Sequence, residues 1–199
     1  MLRIALTGGI ATGKSHVLDQ LRRRGVPCLD SDALVHGITS AGTEATAAIA
    51  NRFGADVLAT DGSVDRAKLG PIVFADPAAR SDLEKIVHPA VYRAIEAGLR
   101  GFEQMGGYPF AVVDVPLLYE TGAEDKFDRV VVTTCSPELQ LARLRARGMS
   151  DIEARQRIAA QWPSEEKIAR ADFVITTDGP FEDTDRQIEA VLTALGSKA

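Results

Sequence analysis

Few features of this sequence suggest a secreted or membrane-spanning protein. The 199 residues include only two cysteines, Cys28 and Cys135, which are too few for a disulfide framework, so we expect a chain of the reducing cytoplasm. No apolar run approaches the roughly 18 residues that a membrane span requires. The apolar run that begins at Leu2 is short and is soon followed by glycines, so no signal peptide is expected either. The net charge of −5 argues against nucleic acid as the main partner.

What the sequence does contain is typical of one globular α/β domain. Hydrophobic residues make up 45% of the chain and charged residues 26%, as in ordinary folded domains. Short apolar runs rich in β-branched residues predict strands of a parallel sheet buried on both faces; they lie at 2–6, 110–115, 129–134 and 172–176, with a weaker fifth at 26–29. Helical patterns alternate with them at 13–24, 136–147 and 181–195. This alternation predicts a doubly wound α/β fold.

The segment from about 37 to 107 interrupts the alternation. It has no convincing strand, and its helical stretches lie near 43–53, 66–74 and 81–104. We interpret it as a helical insertion between the second and third strands. Within it, His88-Pro89 is predicted to break a helix, because the residue before a proline disfavours the α conformation.

A phosphate-binding loop is the most informative motif. Gly8-Gly9-Ile10-Ala11-Thr12-Gly13-Lys14-Ser15 fits the pattern G-x-x-x-x-G-K-[ST] between the first strand and the first helix, the context that the motif requires. Its glycines let backbone N–H groups turn towards a phosphate, Lys14 would reach the β- and γ-phosphates, and the Ser15 hydroxyl would bind Mg²⁺. The alternative is a glycine-rich turn with a chance Lys-Ser. A GTP switch is not expected, because the chain has one asparagine, Asn51, followed by Arg52, and no Asp-x-x-Gly.

Two groups of carboxylates follow predicted strands. In Asp30-Ser31-Asp32, one carboxylate could accept a proton from an acceptor hydroxyl while the other holds a metal-bound water; alternatively, Asp30 or Ser31 caps a helix. Asp114 ends the apolar strand at 110–115, where an acidic residue would support Mg²⁺, although it could also cap a turn.

A basic stretch follows the fourth predicted strand and consists of Arg143, Arg145, Arg147, Arg155 and Arg157. In small kinases, a mobile lid brings arginines over the phosphates. Arg143 and Arg147 are four residues apart and share a helical face, so they are the best candidates, whereas a solvated helical face is the alternative for the others.

Together these residues resemble the dephospho-coenzyme A kinase family over nearly the whole chain. Besides the phosphate loop and Asp30-Ser31-Asp32, the most specific matches are Leu83-Glu84-x-Ile86-x-His88-Pro89 and Pro116-Leu117-Leu118-Tyr119-Glu120. The lid resemblance includes Arg143-Leu144, Arg147, Arg157-Ile158, Gln161 and Lys167. Ala11-Thr12, His16 and Thr177 depart from the family pattern, which often has Gly-Ser or Gly-Ala, Thr and Asn at these positions.

The resemblance implies a three-layer phosphate-loop kinase fold with a five-stranded parallel sheet, a helical acceptor domain and a short lid. The expected bounds are 1–37, 108–135 and 166–199 for the core, 38–107 for the acceptor domain and 136–165 for the lid. It also implies transfer of the ATP γ-phosphoryl group, with Mg²⁺, to the ribose 3′-hydroxyl of dephospho-coenzyme A. Another nucleoside or nucleotide kinase, or a non-catalytic nucleotide-binding module, remains an alternative. No oligomeric state is predicted.

The expected site residues fall into four groups. Catalytic roles are expected for Asp32 as the base, Lys14 and Arg143. Nucleotide contacts are expected from Gly8, Gly9, Ala11, Thr12, Gly13, Lys14, Ser15, His16, Arg143 and Arg147. Acceptor contacts are expected from Asp30, Asp32, Arg66, Phe74, His88, Pro89, Leu117, Leu118 and Glu120, and metal ligation from Ser15 and Asp114.

Overall fold

Five short strands form one parallel sheet. The computed structural model describes residues 1–196. The strands are β1 (Leu2–Gly8), β2 (Cys28–Asp30), β3 (Phe110–Asp114), β4 (Arg129–Thr134) and β5 (Phe173–Thr176). Their spatial order in the sheet is β2-β3-β1-β4-β5. The sheet confirms the predicted α/β fold with five parallel strands. The last core segment was predicted to reach residue 199, and 197–199 lie outside the described residues.

The register of the sheet brings the carboxyl ends of three strands together. Leu6 of β1 pairs with Asp114 of β3, and Gly8 of β1 pairs with Thr133 of β4. In open parallel sheets, ligands bind beyond these carboxyl ends. The phosphate loop, which follows β1, and Asp114 therefore share one edge of the sheet.

Nine α-helices lie within residues 1–196. They are α1 (Lys14–Arg23), α2 (Ser31–Ile38), α3 (Glu44–Phe53), α4 (Arg66–Ala75), α5 (Pro77–Met105), α6 (Pro137–Ala146), α7 (Asp151–Ala159), α8 (Ser164–Ala169) and α9 (Phe181–Gly196). Single-turn 3₁₀ helices occupy Ala55–Val57 and Glu124–Lys126. None of the helices in the described part of the chain is both long and apolar enough to span a bilayer.

The chain forms two compact units, each with its own hydrophobic core. One comprises Met1–Leu29 and the described residues from Gly101 onward, and its core packs α1 and α9 against the sheet around Ile4, Val17 and Ile188. The other is Asp30–Arg100, with a core around Ile49, Val57 and Leu69. The functional roles expected of the predicted acceptor domain and lid stay predictions.

The helix break expected at His88-Pro89 does not occur, because α5 runs from Pro77 to Met105 through Pro89. An interior proline removes one backbone hydrogen bond and costs about 3 kcal/mol. Beyond it, however, Val91, Ile95 and Leu99 recur every four residues and are buried on one helical face, which favours continuing the helix. The helix also begins earlier than predicted, since the Asp76 carboxylate accepts the Ala78 N–H at 2.8 Å ahead of a proline suited to the first turn.

Candidate active site

The phosphate loop is shaped by glycines at its two ends. A β-carbon on Gly8 would lie 2.6 Å from the carbonyl oxygen of Thr133, so only glycine allows β1 to approach β4 this closely. Gly13 caps α1 with a φ of 86°, a conformation that costs glycine nothing. Ala11 also has a positive φ, 62°, which is uncommon for a residue with a β-carbon. The loop therefore turns its backbone sharply between β1 and α1.

The Thr12 side chain supports the loop from inside the protein. It is 1% exposed, and its hydroxyl lies 2.8 Å from both the Gly9 carbonyl oxygen and the Thr133 hydroxyl. The Thr177 hydroxyl, which follows β5, donates to the Thr12 carbonyl at 2.9 Å. A nucleotide contact through Thr12 would therefore use its backbone N–H, while Thr177, where the family commonly has asparagine, ties the loop to the end of β5.

Lys14 lies beside the acidic end of β3. Its ammonium group forms an ion pair with the Asp114 carboxylate, and both side chains are largely buried. The two sequence motifs that were predicted to meet at the phosphates are thus in contact in the folded chain. Ser15 follows Lys14 in the first turn of α1 and is exposed.

His16 is engaged with α9. Its Nε2 lies 3.0 Å from an Asp185 carboxylate oxygen, and its ring stacks on Phe181 with centroids 4.4 Å apart. The side chain therefore braces α1 against α9, and the expected contact between His16 and a nucleotide stays a prediction.

Arg143 contacts the phosphate loop directly. Its guanidinium donates to the Ala11 carbonyl at 3.1 Å, to the Thr177 hydroxyl at 2.9 Å and to the Thr177 carbonyl at 2.7 Å. By contrast, Arg147 is exposed at the C-terminal end of α6, and Arg145 is paired with Asp151 on the surface. The structure thus gives the two arginines different surroundings, and the expected contact between Arg147 and a nucleotide stays a prediction.

Neither cysteine has the character of a nucleophile. Burial raises the pKa of the Cys28 thiol to about 11, and burial likewise raises the pKa of Cys135. Both thiols are therefore protonated at neutral pH, as expected for core residues.

In the Asp30–Arg100 unit, the two neighbouring aspartates have different surroundings. The Asp30 carboxylate caps α2 by accepting the N–H groups of Asp32 at 3.0 Å and Ala33 at 3.1 Å. Asp32 lies one residue inside α2 and is exposed. The capping alternative therefore applies to Asp30, whereas the Asp32 carboxylate faces solvent.

The same unit contains an apolar cavity of about 260 Å³. Side chains of α2 to α5 form its walls, with Arg66, Glu84 and His88 as the charged or titratable groups among them. Phe74 of α4 is 90% exposed, and Pro89 follows His88 within α5. The structure thus brings Arg66 and His88, two of the expected acceptor-binding residues, to one cavity.

The segment that follows β3 divides between surface and interior. Leu117 is exposed, whereas Leu118 is completely buried, so its side chain belongs to the core. Glu120 accepts hydrogen bonds through Oε1 from the Lys167 ammonium at 2.7 Å and the Trp162 N–H at 2.9 Å. This placement favours a structural role for Leu118 and Glu120, whose expected contacts with an acceptor stay predictions.

Two residues that contact these elements were not selected as site residues from the sequence. Gln140 of α6 and Gln161 after α7 both hydrogen-bond to the backbone of Ile10 in the loop. Gln161 was identified only through the family resemblance, and nothing in the helical pattern at 136–147 distinguishes Gln140 from a surface residue.

The strand order and the loop between β1 and α1 define the class of protein, a phosphate-loop kinase fold. Shikimate kinase from Bacteroides thetaiotaomicron shares this fold, with a TM-score of 0.55 over 98% of each chain at 16% identity. The sequence match defines a smaller group of proteins than the fold does. The pattern of the dephospho-CoA kinase family covers residues 2–183, and the chain belongs to that family.

Individual relatives and a solved structure are similar to this chain over most of their length. A dephospho-CoA kinase from Anaeromyxobacter dehalogenans is 49% identical over 180 residues, 90% of this chain and 85% of the relative. One from Geobacillus kaustophilus is 43% identical over 96% of this chain and 95% of its own. The solved structure of TT1252 from Thermus thermophilus is 34% identical, with a TM-score of 0.83 over 98% of this chain and 97% of that chain.

Proposed function

We propose that this chain transfers the γ-phosphoryl group of ATP to the ribose 3′-hydroxyl of dephospho-CoA. The observation that carries the proposal is the family match over residues 2–183, which includes the phosphate loop and the Asp30–Arg100 unit. The reducing cytoplasm, which supplies ATP, is the proposed compartment.

The phosphate loop is the proposed site of the ATP triphosphate. Backbone N–H groups between Gly8 and Ser15 would bind the β-phosphate, and Lys14 would move its charge from Asp114 onto the β- and γ-phosphates. The positive end of the α1 dipole adds to this binding. The contact of Arg143 with the Ala11 carbonyl supports a role in holding the loop in shape around the phosphates.

Mg²⁺ fits the residues at this edge of the sheet. Mg²⁺ commonly binds through one or two protein oxygens together with substrate phosphates and waters. The Ser15 hydroxyl at the start of α1 and the Asp114 carboxylate at the end of β3 supply such oxygens. These two residues would hold the ion, which when bound neutralises charge on the phosphates.

Asp32 is the proposed general base. The Asp30 carboxylate is occupied in capping α2, whereas Asp32 is exposed. Asp32 would take the proton of the 3′-hydroxyl while the hydroxyl oxygen attacks the γ-phosphorus. The bond from that phosphorus to the bridging oxygen breaks, and ADP leaves. Positioning and electrostatics supply most of the rate in phosphoryl transfer.

The Asp30–Arg100 unit is the proposed acceptor-binding part. Its cavity offers an apolar surface with Arg66 and His88 among the lining residues. That combination suits a ligand with an apolar portion and anionic phosphates. Within this unit, Phe74 is exposed and available for further contacts.

Release of ADP from ATP, measured with and without dephospho-CoA, tests the proposed activity. We expect ADP release to depend on dephospho-CoA and to be absent with adenosine or nucleoside monophosphates as acceptors. Lys14→Ala is the control, because it removes the charge that acts on bound phosphates. Turnover with a nucleoside or nucleotide instead would favour another kinase activity, and no turnover with any acceptor would favour a binding module.

Arg143→Ala is expected to lower kcat/KM for ATP by at least roughly tenfold, because one hydrogen bond joins this guanidinium to the loop, at the Ala11 carbonyl, and a bond from a charged donor is worth about 1.5–3 kcal/mol. The other two bonds reach Thr177. Steady-state kinetics with each substrate varied in turn would also show kcat falling more than the affinity for the acceptor. The matched control is Arg145→Ala, since Arg145 lies on the same helix but pairs with Asp151 on the surface. An equal loss in that variant would contradict the assignment.

A further inference from the structure

Both backbone polar groups of Ile10 are bound by glutamine side chains. The Ile10 N–H donates to Gln161 Oε1 at 2.7 Å, and the Ile10 carbonyl accepts from Gln140 Nε2 at 2.6 Å. Ile10 lies between β1 and α1, where no ladder or helix supplies partners. Its partners come from distant parts of the chain instead: Gln140 lies 130 positions from Ile10, and Gln161 lies 151 positions from it.

An apolar cluster packs against the same part of the loop. Gln140 is buried, and the methyl group of Ala11 packs in one apolar cluster with Leu144 of α6 and Ala154 of α7. Because Ala11 has a positive φ, its conformation persists only where the surroundings enforce it. Side chains of α6 and α7, together with Gln161 after α7, therefore support the loop.

Gln161 is itself fixed by its neighbour in sequence. The N–H of Trp162 donates to Glu120 Oε1, which also accepts from the completely buried Lys167. The Trp162 ring contacts both Arg170, whose guanidinium is 4.9 Å from the ring centroid, and Tyr119, whose ring centroid is 6.0 Å away. An anchored Trp162 leaves Gln161 little freedom to leave Ile10.

We infer that Gln161 and Gln140 are positioning residues that hold the two peptide groups flanking Ile10 in place before nucleotide binds, so that the loop does not have to be ordered during binding. Ordering a loop reduces affinity for its ligand, and a preorganised loop avoids that cost. The inference rests on the proposed binding of ATP at this loop, but not on dephospho-CoA as the acceptor. The loop binds through the β-phosphate, so the effect should appear with ADP and ATP alike.

Amide hydrogen exchange of the nucleotide-free protein, followed by NMR, tests the hydrogen bond at Ile10. We expect the Ile10 amide to be protected in the wild type, to exchange rapidly in Gln161→Ala, and to be protected again in Gln161→Glu, whose carboxylate offers an acceptor at the same reach. The matched control is Gln156→Ala, an exposed position of α7. Fast exchange in the wild type, or the same loss of protection in the control, would overturn the inference.

Calorimetric titration tests the consequence for binding. One neutral hydrogen bond corresponds to roughly a threefold to tenfold change in affinity, so Gln161→Ala should raise the Kd of both ADP and ATP by that factor while the KM for dephospho-CoA stays unchanged. Gln140→Met, which removes the other bond, should act in the same direction and serves if Gln161→Ala does not fold. Unchanged ADP affinity in a folded variant overturns the inference and leaves the proposed function intact. A wild-type chain that binds neither nucleotide overturns both.

Discussion

Asp32→Asn is expected to lower kcat by at least about 10²-fold while leaving ATP binding nearly unchanged. General-base catalysis contributes typically ~10²–10⁴-fold, and a loose, metaphosphate-like transition state needs less help from a base, so the lower half of that range is expected. Asparagine keeps the size of the side chain and removes only its basicity. Steady-state kinetics together with an ATP titration would measure the two effects separately.

Asp30→Asn is the matched control for this experiment. Asparagine caps helices as well as aspartate does, so the variant should keep the two hydrogen bonds that begin α2 and should fold normally. If Asp32→Asn turns over within a few-fold of the wild type while Asp30→Asn is inactive, the two roles are exchanged. If both variants are active, the pair has no catalytic part and Asp30 serves only as a cap.

Lys167→Met is expected to reduce the free energy of unfolding by about 3–5 kcal/mol, because removing one partner of a buried ion pair leaves the other charge uncompensated. Lys167 is 0% exposed and its partner Glu120 is nearly buried. Urea unfolding followed by the fluorescence of Trp162, the only tryptophan, would report the change, since Trp162 hydrogen-bonds to Glu120.

The double variant Glu120→Gln, Lys167→Met should be more stable than Lys167→Met alone, because it leaves no lone buried charge and glutamine can still accept the Trp162 N–H. Arg23→Met is the control for losing a surface charge, since Arg23 forms an exposed pair with Asp19 and such pairs contribute at most about 1 kcal/mol. A loss below about 1 kcal/mol in Lys167→Met would contradict the account of a buried pair.

The strands show how far the sequence could be interpreted without a structure. The run at 129–134 coincides with β4, and the run at 2–6 falls within β1, which extends to Gly8. Both are continuous apolar runs, typical of a sheet covered on both faces. The helix boundary at 81 and the break at His88-Pro89 were wrong, because an N-cap aspartate and a buried helical face outweighed the local preference of one proline.

The candidate site divides in the same way. The sequence alone determined the phosphate loop, with Lys14 and Ser15 at its end, and the aspartates at the ends of β2 and β3, because these motifs depend on short spacings and on the polarity of strand ends. It also determined the family, through motifs spread along the chain.

Only the tertiary structure decided which side chains hold those motifs in place. Lys167 has the sequence appearance of a surface lysine, yet it is buried against Glu120, 47 residues earlier. Gln140 and Gln161 reach Ile10 from 130 and 151 residues away, and Arg143 contacts the loop while Arg147 stays exposed. Contacts at such separations depend on how whole helices pack, so the period of a single helix could not distinguish these side chains from their solvent-facing neighbours.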